Sequence, residues 1–513
     1  LVAVWQTPDG SGNGIASKVY GDIPPPEPEG WSEHPETMVN TETSGEQTEA
    51  AVKVLADGGW VVVWQSQDQD GSGWGVYGQR FNADGTRSGG EFRVNTVTAG
   101  DQAAPSVAAL TDGGYVVAWT GAGTGKDVYL QRYDAQGVKV GSEVRVNSVT
   151  ASDQEFPEVC ALSNGGYIVA WTSLGQDKPS ESYAYGAYLQ RFDAQGNMVG
   201  SAQQINTFTT NAQFRPVVTE LADGSTVAIW FSLYQDGELW GIYGQRFNAD
   251  GSKAGGEFLV ENTTVGDQKY PQVAALADGG FVTTWFSSVG DGSGWGIYGR
   301  RFAANGTAIG TEFLVNTYTT GDQSHPAVTS LADGGFAISW RSQGQDGDGW
   351  GIYMRRYDAN GVAQGADVLV ADVTAGDQSM VALAGRPNGG LVAVWQTPDG
   401  SGNGIASKIY GSDTLSVTAA SGMLLGGDGA DTFAINSGDG VNVINNAGHA
   451  ADGDRVLFGT GITYDHLWFE QQGADLKVSV IGGTAGVVVS SWFTDPDNEV
   501  SQFATSTGDT LDM

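Results

Sequence analysis

Several repeated loops of the chain combine carboxylates, glycines and an aromatic residue, a set of side chains that could bind a sugar or a cation. Their sequences are DQDGSGWG, YQDGELWG, VGDGSGWG and GQDGDGWG, with Trp74, Trp240, Trp295 and Trp350 at equivalent places and Tyr185 in a fifth unit. An aromatic ring can stack on a sugar ring while acids hold hydroxyl groups or Ca²⁺. The alternative is an aromatic plug that packs against the neighbouring unit, and both interpretations stay open.

Two of these loops hold the densest carboxylate spacing outside the C-terminal region. The four residues are Asp68, Asp70, Asp346 and Asp348. Oxygen ligands suit Ca²⁺, but the distal bidentate Glu of an EF-hand is missing. Aspartate is also typical of tight turns, so a calcium site and plain turn formation are competing predictions.

The sequence contains little that indicates catalysis. It has 4 histidines and no H-E-x-x-H motif, nucleophile elbow or phosphate-binding loop. Carboxylates are too abundant for one pair to be identified as a glycosidase dyad. We therefore expect a protein that is not an enzyme, with polysaccharide cleavage as an alternative that has no assigned residues.

Charge and composition exclude several classes of partner. The 513 residues include 24 basic and 59 acidic ones, a net charge of −35. Nucleic-acid backbones and anionic membranes would be repelled by such a surface, whereas divalent cations would be attracted. The single cysteine, Cys160, excludes a disulfide framework. No apolar run is long enough to span a membrane.

A repeated phrase decides the fold of most of the chain. ADGGWVVVW recurs with small changes, and each copy ends on a tryptophan: Trp64, Trp119, Trp171, Trp230, Trp285, Trp340 and Trp395. Each unit has four short β-rich segments joined by Asp-Gly or Asn-Gly turns, which are hairpin signals. This pattern predicts an all-β, seven-bladed β-propeller of four-stranded blades, with the tryptophans in the core; a β-solenoid is the weaker alternative.

The strand count also predicts how the ring closes. The last unit ends at Tyr410 without an outer strand, so the N-terminal segment TMVN should supply it and complete a ring within residues 31–411. Residues 1–20 then form a surplus hairpin that copies 391–410, and the Pro-rich residues 21–30 form a stiff linker. The copy is a remnant of a preceding propeller, a hairpin donated to a neighbouring subunit, or an artefact of chain assignment.

The last region, residues 412–513, has a different composition. GGDGADTFA matches the nonapeptide G-G-x-G-x-D-x-U-x of calcium-binding β-rolls, and GDGVNVI is a degenerate copy with Asn442 in place of Asp. Residues 421–513 resemble the terminal calcium-binding region of RTX (haemolysin-type) secreted bacterial proteins. The propeller repeats are similar to segments of large proteins of this kind.

This resemblance implies a small RTX-like β-roll, export by a type I secretion machine that reads an uncleaved C-terminal signal, and folding on extracellular calcium. It also implies Ca²⁺ ligands at Asp428, Asp431 and Asp439, with Asn442 as the departure from the pattern. We therefore expect a secreted, non-enzymatic calcium-binding protein that acts in adhesion or biofilm matrix building. Its blade loops would contact glycans or cell-surface components. The alternative is a self-associating filament or surface-layer subunit assembled by hairpin exchange.

Overall fold

The structure is a computed structural model, and it describes residues 2–8, 13–19, 34–123, 125–177, 184–411, 413–416, 423–426, 431–436, 440–446, 454–459, 461–494, 500–506 and 510–512. The first two strands, β1 (Val2–Pro8) and β2 (Asn13–Val19), form an antiparallel hairpin. A two-residue strand, β3 (Thr37–Met38), follows.

Residues 34–411 contain seven antiparallel sheets of four strands each, which we number as blades one to seven. Blades one to three consist of β4 (Gln47–Val54), β5 (Trp60–Gln67), β6 (Trp74–Phe81) and β7 (Arg87–Arg93); β8 (Gln102–Ala109), β9 (Tyr115–Ala122), β10 (Lys126–Tyr133) and β11 (Lys139–Arg145); β12 (Gln154–Ala161), β13 (Tyr167–Leu174), β14 (Tyr185–Phe192) and β15 (Met198–Gln204). Blades four and five consist of β16 (Gln213–Glu220), β17 (Thr226–Leu233), β18 (Trp240–Phe247) and β19 (Lys253–Leu259); β20 (Gln268–Ala275), β21 (Phe281–Ser287), β22 (Gly296–Phe302) and β23 (Ala308–Leu314). Blades six and seven consist of β24 (Gln323–Ser330), β25 (Phe336–Gln343), β26 (Trp350–Tyr357) and β27 (Ala363–Leu369); β28 (Ser379–Gly385), β29 (Leu391–Pro398) and β30 (Asn403–Tyr410), with β3 as the fourth strand.

The first strands of the blades contact one another in a closed cycle, from β4 through β8, β12, β16, β20 and β24 to β28 and back to β4. They are therefore the inner strands of a β-propeller. The seven repeated tryptophans, from Trp64 to Trp395, are at most 1% exposed. Each buries a large apolar surface between blades. The predicted propeller and the structural role of these tryptophans are confirmed.

Tight turns join the first and second strands where the sequence repeats Asp-Gly-Gly. In blade one the Leu55 amide donates to the Gly59 carbonyl at 2.7 Å, and Gly58 has φ +82. The Asp57 carboxylate accepts the Gly59 amide at 3.0 Å. A residue with a Cβ would be strained at Gly58, so the repeated glycine is a requirement of the turn.

The ring closes between the two ends of the propeller sequence. Thr37 pairs with Ser407 and Met38 with Ala406, which makes β3 the outer strand of blade seven. The Glu36 amide donates to the Asp372 carboxylate at 2.9 Å, and the Asp372 amide donates to Glu36 at 2.8 Å. Closure by the N-terminal strand is thus confirmed.

The C-terminal strands form two further sheets of five strands each. The strands are β31 (Asp413–Ser416), β32 (Met423–Gly426), β33 (Asp431–Ile435), β34 (Val441–Asn446), β35 (Arg455–Phe458), β36 (Leu467–Gln472), β37 (Asp475–Val480), β38 (Gly486–Val489), β39 (Gln502–Thr505) and β40 (Thr510–Asp512), with a 3-10 helix at Tyr464–His466. The parallel strands β31, β33, β35 and β39 lie in one sheet, and the parallel strands β32, β34 and β38 lie in the other.

Successive strands alternate between the two sheets up to β35, which is the arrangement of a β-roll. Phe433, Val456 and Phe503 are among the buried residues of its apolar core. Among the described residues, no helix is long and apolar enough to cross a membrane.

Candidate functional site

One end of the propeller carries both the variable loops and the starts of the inner strands. In blade one, Gln67 pairs with Trp74 across the loop between the second and third strands, and Gln47 pairs with Ser66. The loop and the beginning of the inner strand are therefore at the same end of the blade. We call this end the loop face.

Each inner strand contains a bulge near the loop face. The register shifts between Thr48 and Ala51 in blade one, and corresponding shifts occur in the other blades. One residue in each bulge has a left-handed φ between 47 and 55: Glu49, Ala104, Phe156, Arg215, Tyr270, His325 and Met380. We call these seven residues the bulge ring. Repeated left-handed backbone at non-glycine residues stores strain, and such strain is concentrated at functional sites.

Five of the seven residues of the bulge ring line a central channel at its loop-face end, which we call its mouth. The channel has an open volume of about 490 Å³, and Glu49, Arg215, Tyr270, His325 and Met380 are among its lining residues. Its wall is mostly alanine, valine and proline, with polar residues at Lys53, Ser106, Glu158 and Gln272. The mouth therefore combines acidic, basic, aromatic and apolar side chains from different blades.

Glu158 places a carboxylate on the wall of the channel. The Ser106 hydroxyl donates to its Oε2 at 3.1 Å. Burial raises the pKa of the Glu158 carboxyl, while Lys53 and the Ser106 hydrogen bond act in the opposite direction. A proton is therefore held on this carboxyl to a higher pH than on an ordinary surface glutamate.

Aromatic rings from blades three to six meet in a continuous row that reaches the channel at Tyr270 and His325. The row runs from Phe156 to Phe214 (5.5 Å between centroids), Phe231 (5.8 Å), Tyr270 (5.6 Å) and Phe286 (5.4 Å). His325 extends it, because its ring lies 4.8 Å from Tyr270 and 5.5 Å from Phe286.

Three of the predicted ligand-binding aromatics join this row from the loops. Tyr185 meets Phe214 edge-on at 4.9 Å, Trp240 meets Phe231 at 4.9 Å, and Trp295 meets Phe286 at 4.9 Å. We define the aromatic shelf as the whole set: Phe156, Tyr185, Phe214, Phe231, Trp240, Tyr270, Phe286, Trp295 and His325. Phe231 and Phe286 are buried beneath it, and the other seven rings are half-buried. The loop aromatics therefore pack against neighbouring rings and still present a surface to solvent.

The other two predicted aromatics lie outside the shelf. Trp350 is covered by Arg341, whose guanidinium carbon is 4.3 Å from the ring centroid. The Trp74 amide donates to Asp101 at 3.2 Å, and β5 places Gln65 where blade four has Phe231. The five loops are thus equivalent in sequence, but only those of blades three, four and five place their aromatic residue on the shelf.

The four predicted loop carboxylates accept hydrogen bonds from backbone amides, three of them within their own loops and Asp348 from another connection. Asp68 accepts the Gly73 amide at 3.1 Å, and Asp70 accepts the Ser72 amide at 3.2 Å. Asp346 accepts the amide of Asp348 at 3.2 Å, and Asp348 accepts the Gly376 amide at 3.1 Å. Within the described part of the chain, no group of three or more acidic, histidine or cysteine side chains is placed to hold a metal ion.

The predicted C-terminal ligands lie mostly beyond what the structure describes. Asp428 and Asp439 are outside the described residues, and only the backbone of Asp431 is described, in β33. Asn442 is fully buried, and its amide donates to the Gly440 carbonyl at 3.4 Å. Calcium binding by this region stays a prediction from the resemblance.

Basic groups are concentrated beside the shelf. Lys269 pairs with Asp267 at 3.0 Å, and its ammonium lies 5.9 Å from the Trp240 centroid and 5.4 Å from that of Trp295. Burial, with the positive charges of Arg341 and Arg215, lowers the pKa of His325 to about 3. His325 is therefore a neutral ring at physiological pH, and the charges on this side come from lysine and arginine.

Sequence reasoning missed the bulge ring, although a signal for it exists. In the repeated phrase GDQxxPxV, the residue before the proline is Ala104, Phe156, Arg215, Tyr270 or His325. Its chemistry changes, as does that of the residue before it, while the flanking glutamine and proline repeat. A position that varies inside a repeated strand indicates recognition, since packing would favour the same residue in every blade.

No protein-family model and no curated protein matches the chain. Solved structures similar to it include the GH93 α-L-arabinofuranosidase of Fusarium graminearum, with 11% identity, a TM-score of 0.43 and coverage of 74% of this chain and 97% of that one. The α-L-arabinanase of Penicillium chrysogenum has 15% identity and a TM-score of 0.41, over 74% of this chain and 98% of that one. The NanB sialidase of Streptococcus pneumoniae has 9% identity and a TM-score of 0.41, over 78% and 74%. At these identities the likeness concerns the fold alone.

These structures correct one expectation from the sequence. We expected a non-enzymatic adhesion or matrix protein, with a hairpin-exchanging filament subunit as the alternative. Several solved structures similar to the chain are glycoside hydrolases, which runs against that expectation. The prediction failed because it took the absence of familiar short motifs as evidence against catalysis, whereas acidic residues spread over several blades form no local motif.

Proposed function

We propose that the protein binds carbohydrate chains along the aromatic shelf, with one end of the chain at the channel mouth. The observation that carries this proposal is the group of half-buried rings, Trp240 and Trp295 on the loops and Tyr270 and His325 in the bulge ring, that pack on the buried Phe231 and Phe286. Successive sugar rings can stack on successive aromatic faces, and a row of faces suits an extended chain.

The polar groups around the shelf favour a sugar over a purely apolar ligand. The Lys269 ammonium and the Asp267 carboxylate lie between Trp240 and Trp295. Hydroxyl groups of a stacked sugar need donors and acceptors at the edges of the aromatic rings, and this ion pair supplies both. A hydrophobic ligand would desolvate this ion pair without forming hydrogen bonds to it, at a cost in affinity.

Glycan binding is tested by an array of oligosaccharides probed with the full chain and two shelf variants. We expect Trp240→Ala and Trp295→Ala to lose most of the signal on the glycans that the native protein binds. Trp74→Ala is the matched control, because Trp74 begins the equivalent strand of blade one but lies outside the shelf. Absence of binding to every glycan, or equal loss in all three variants, would reject the proposal.

A second candidate function is cleavage of the bound chain. It is favoured by Glu158, a carboxyl inside the channel whose pKa is raised by burial, as the acid of a glycosidase requires. Glu49 is the carboxylate of the bulge ring that could act with it. We expect the native protein to release new reducing ends from a glycan that it binds on the array. Glu158→Gln should abolish this release and retain glycan binding. Intact glycan after prolonged incubation would eliminate this candidate.

Export and calcium binding are a separate proposal. They are supported by the resemblance of residues 421–513 to the terminal region of RTX proteins and by the parallel two-sheet arrangement of β31 to β35, which suits that motif. When bound, Ca²⁺ would neutralise the aspartates of the turns and hold adjacent strands together. Asp428, Asp431 and Asp439 would hold it.

A further inference from the structure

Arg215 is the one arginine in the bulge ring. The six equivalent positions are occupied by Glu49, Ala104, Phe156, Tyr270, His325 and Met380. The arginine is therefore specific to blade four and is not required by the bulge itself. Its φ of 47 holds it in the left-handed region at the edge of the channel.

The guanidinium of Arg215 is held between two rings of the aromatic shelf. Its central carbon lies 4.0 Å from the Phe156 centroid and 4.9 Å from the Tyr270 centroid. Contact with both rings restricts the guanidinium through cation–π attraction. Arg215 is thus held in place by contacts that do not use its hydrogen-bond donors.

No carboxylate neutralises Arg215 within the part of the chain that the structure describes. The recurring arginines at the other end of the blades behave differently: Arg301 pairs with Asp278 at 2.8 Å and Arg356 with Asp333 at 2.9 Å. The acidic residue of the bulge ring, Glu49, belongs to blade one, three blades away around the ring. The protein has 59 acidic and 24 basic residues. An arginine at the edge of the channel without an acidic partner among the described residues is therefore unusual for this chain.

The geometry points to an acidic glycan as the ligand of the shelf, with the anionic group of one sugar bound by Arg215 at the channel mouth. A carboxylate accepts two parallel N–H bonds from a guanidinium edge, and this bidentate pair gives both affinity and orientation. A sulfate group offers the same pair of oxygens. This inference rests on the proposed glycan binding and specifies the class of sugar.

The test uses matched acidic and neutral ligands with the full-length chain. Oligogalacturonate and oligomannuronate are titrated by calorimetry beside their methyl esters, which keep the sugar rings and lose the charge. Sulfated galactose oligomers form the third arm and distinguish sulfate from carboxylate. We expect an acidic oligomer to bind about 10- to 100-fold more tightly than its neutral form.

Arg215→Gln should abolish this preference while leaving the weaker affinity for the neutral ester unchanged, which also shows that the variant is folded. Arg215→Lys should retain only part of the preference for the acidic oligomer, because an ammonium cannot make the bidentate pair. The charge-matched control is Arg145→Gln, on the outer strand of blade two with 47% of its side chain exposed. It should behave like the native protein.

The outcomes separate the two proposals. Equal affinity for acidic and neutral oligomers, or an equal effect of both Gln substitutions, would overturn the role of Arg215 and leave glycan binding standing. Preference for the sulfated arm over the carboxylated arms would assign the anion as sulfate and retain the role of Arg215. Binding of none of these oligomers or of any glycan on the array would overturn the acidic ligand together with the proposed function.

Discussion

The indole nitrogen of Trp171 donates a hydrogen bond to the side-chain oxygen of Gln154 at 2.9 Å, in the interior of blade three. Trp119 and Gln102 make the same bond at 3.1 Å in blade two. In blade one the Trp64 indole nitrogen is equally buried but has no such partner among the described residues, because the Gln47 side chain is engaged with Asn40 and the Ser44 carbonyl. The repeated tryptophan is therefore held by packing everywhere and by a hydrogen bond in some blades.

This difference predicts the effects of two matched substitutions. Trp171→Phe loses packing and also leaves Gln154 without its donor, whereas Trp64→Phe loses packing alone. We expect Trp171→Phe to lower the free energy of unfolding by about 1 kcal/mol more than Trp64→Phe does. Urea unfolding followed by tryptophan fluorescence measures both. Equal losses would show that the buried hydrogen bond contributes nothing.

Glu261 predicts a pH dependence of stability. It occupies the place of Asn206 and Asn316 in neighbouring blades, is 2% exposed, and accepts the Ile242 amide at 2.9 Å. Burial, with a smaller contribution from Asp236, raises the pKa of Glu261 from 4.5 to about 8. Between these values the folded protein holds a proton that the unfolded chain releases, so stability should fall as pH rises through this window.

The substitution Glu261→Asn tests this dependence, because it restores the residue of the other blades. We expect the variant to lack the decline, and to exceed the native protein at pH 8 by about 1–3 kcal/mol in free energy of unfolding. Urea unfolding at several pH values measures the difference. Parallel pH profiles of the two proteins would contradict the assignment to Glu261.

His325 should make stability depend on pH in the opposite direction. Its pKa in the folded protein is about 3, against 6.5 for an exposed histidine, with burial as the largest cause. As pH falls below 6.5, the unfolded chain takes up a proton that the folded protein does not, so stability decreases. His325→Phe should remove this part of the acid sensitivity and keep the stack on Tyr270. Thermal melts of both proteins from pH 4 to 7 would show it; curves of identical shape would contradict it.

The fold could be read from the sequence because its determinants are local and repeated. An Asp or Asn followed by a glycine, as at Asp57 and Gly58, specifies the same turn in every unit, and the tryptophan equivalent to Trp64 marks the same core position. The aromatic shelf could not be read in this way. Phe231 and Tyr270 belong to successive blades and meet only when the ring packs. The sequence placed Trp240 and Trp74 in one class, but Phe231 and Gln65, at equivalent positions of their two blades, separate them.

The C-terminal region provides a prediction about calcium. If Asp428, Asp431 and Asp439 hold Ca²⁺ as the resemblance implies, millimolar calcium should raise the melting temperature of this region by several degrees, since binding to the folded state alone is stabilising. Asp428→Asn with Asp431→Asn should abolish the shift, and Asp68→Asn with Asp70→Asn should leave it intact. If the Asp68 and Asp70 substitutions abolish the shift instead, the calcium site lies in the propeller.

The two N-terminal segments should differ in their importance for the ring. β3 completes blade seven through its pairing with β30, and Lys408 adds an ion pair to Asp372 at 2.7 Å beside it. β29 and β30 already occupy the place that residues 1–20, which differ from them only at Val19, could fill. Removal of residues 1–41 should therefore lower the propeller's melting temperature by about 5 °C or more. Removal of residues 1–20 should leave it unchanged, because no strand of the ring is lost; a similar drop in both truncations would mean that the first hairpin also stabilises the propeller.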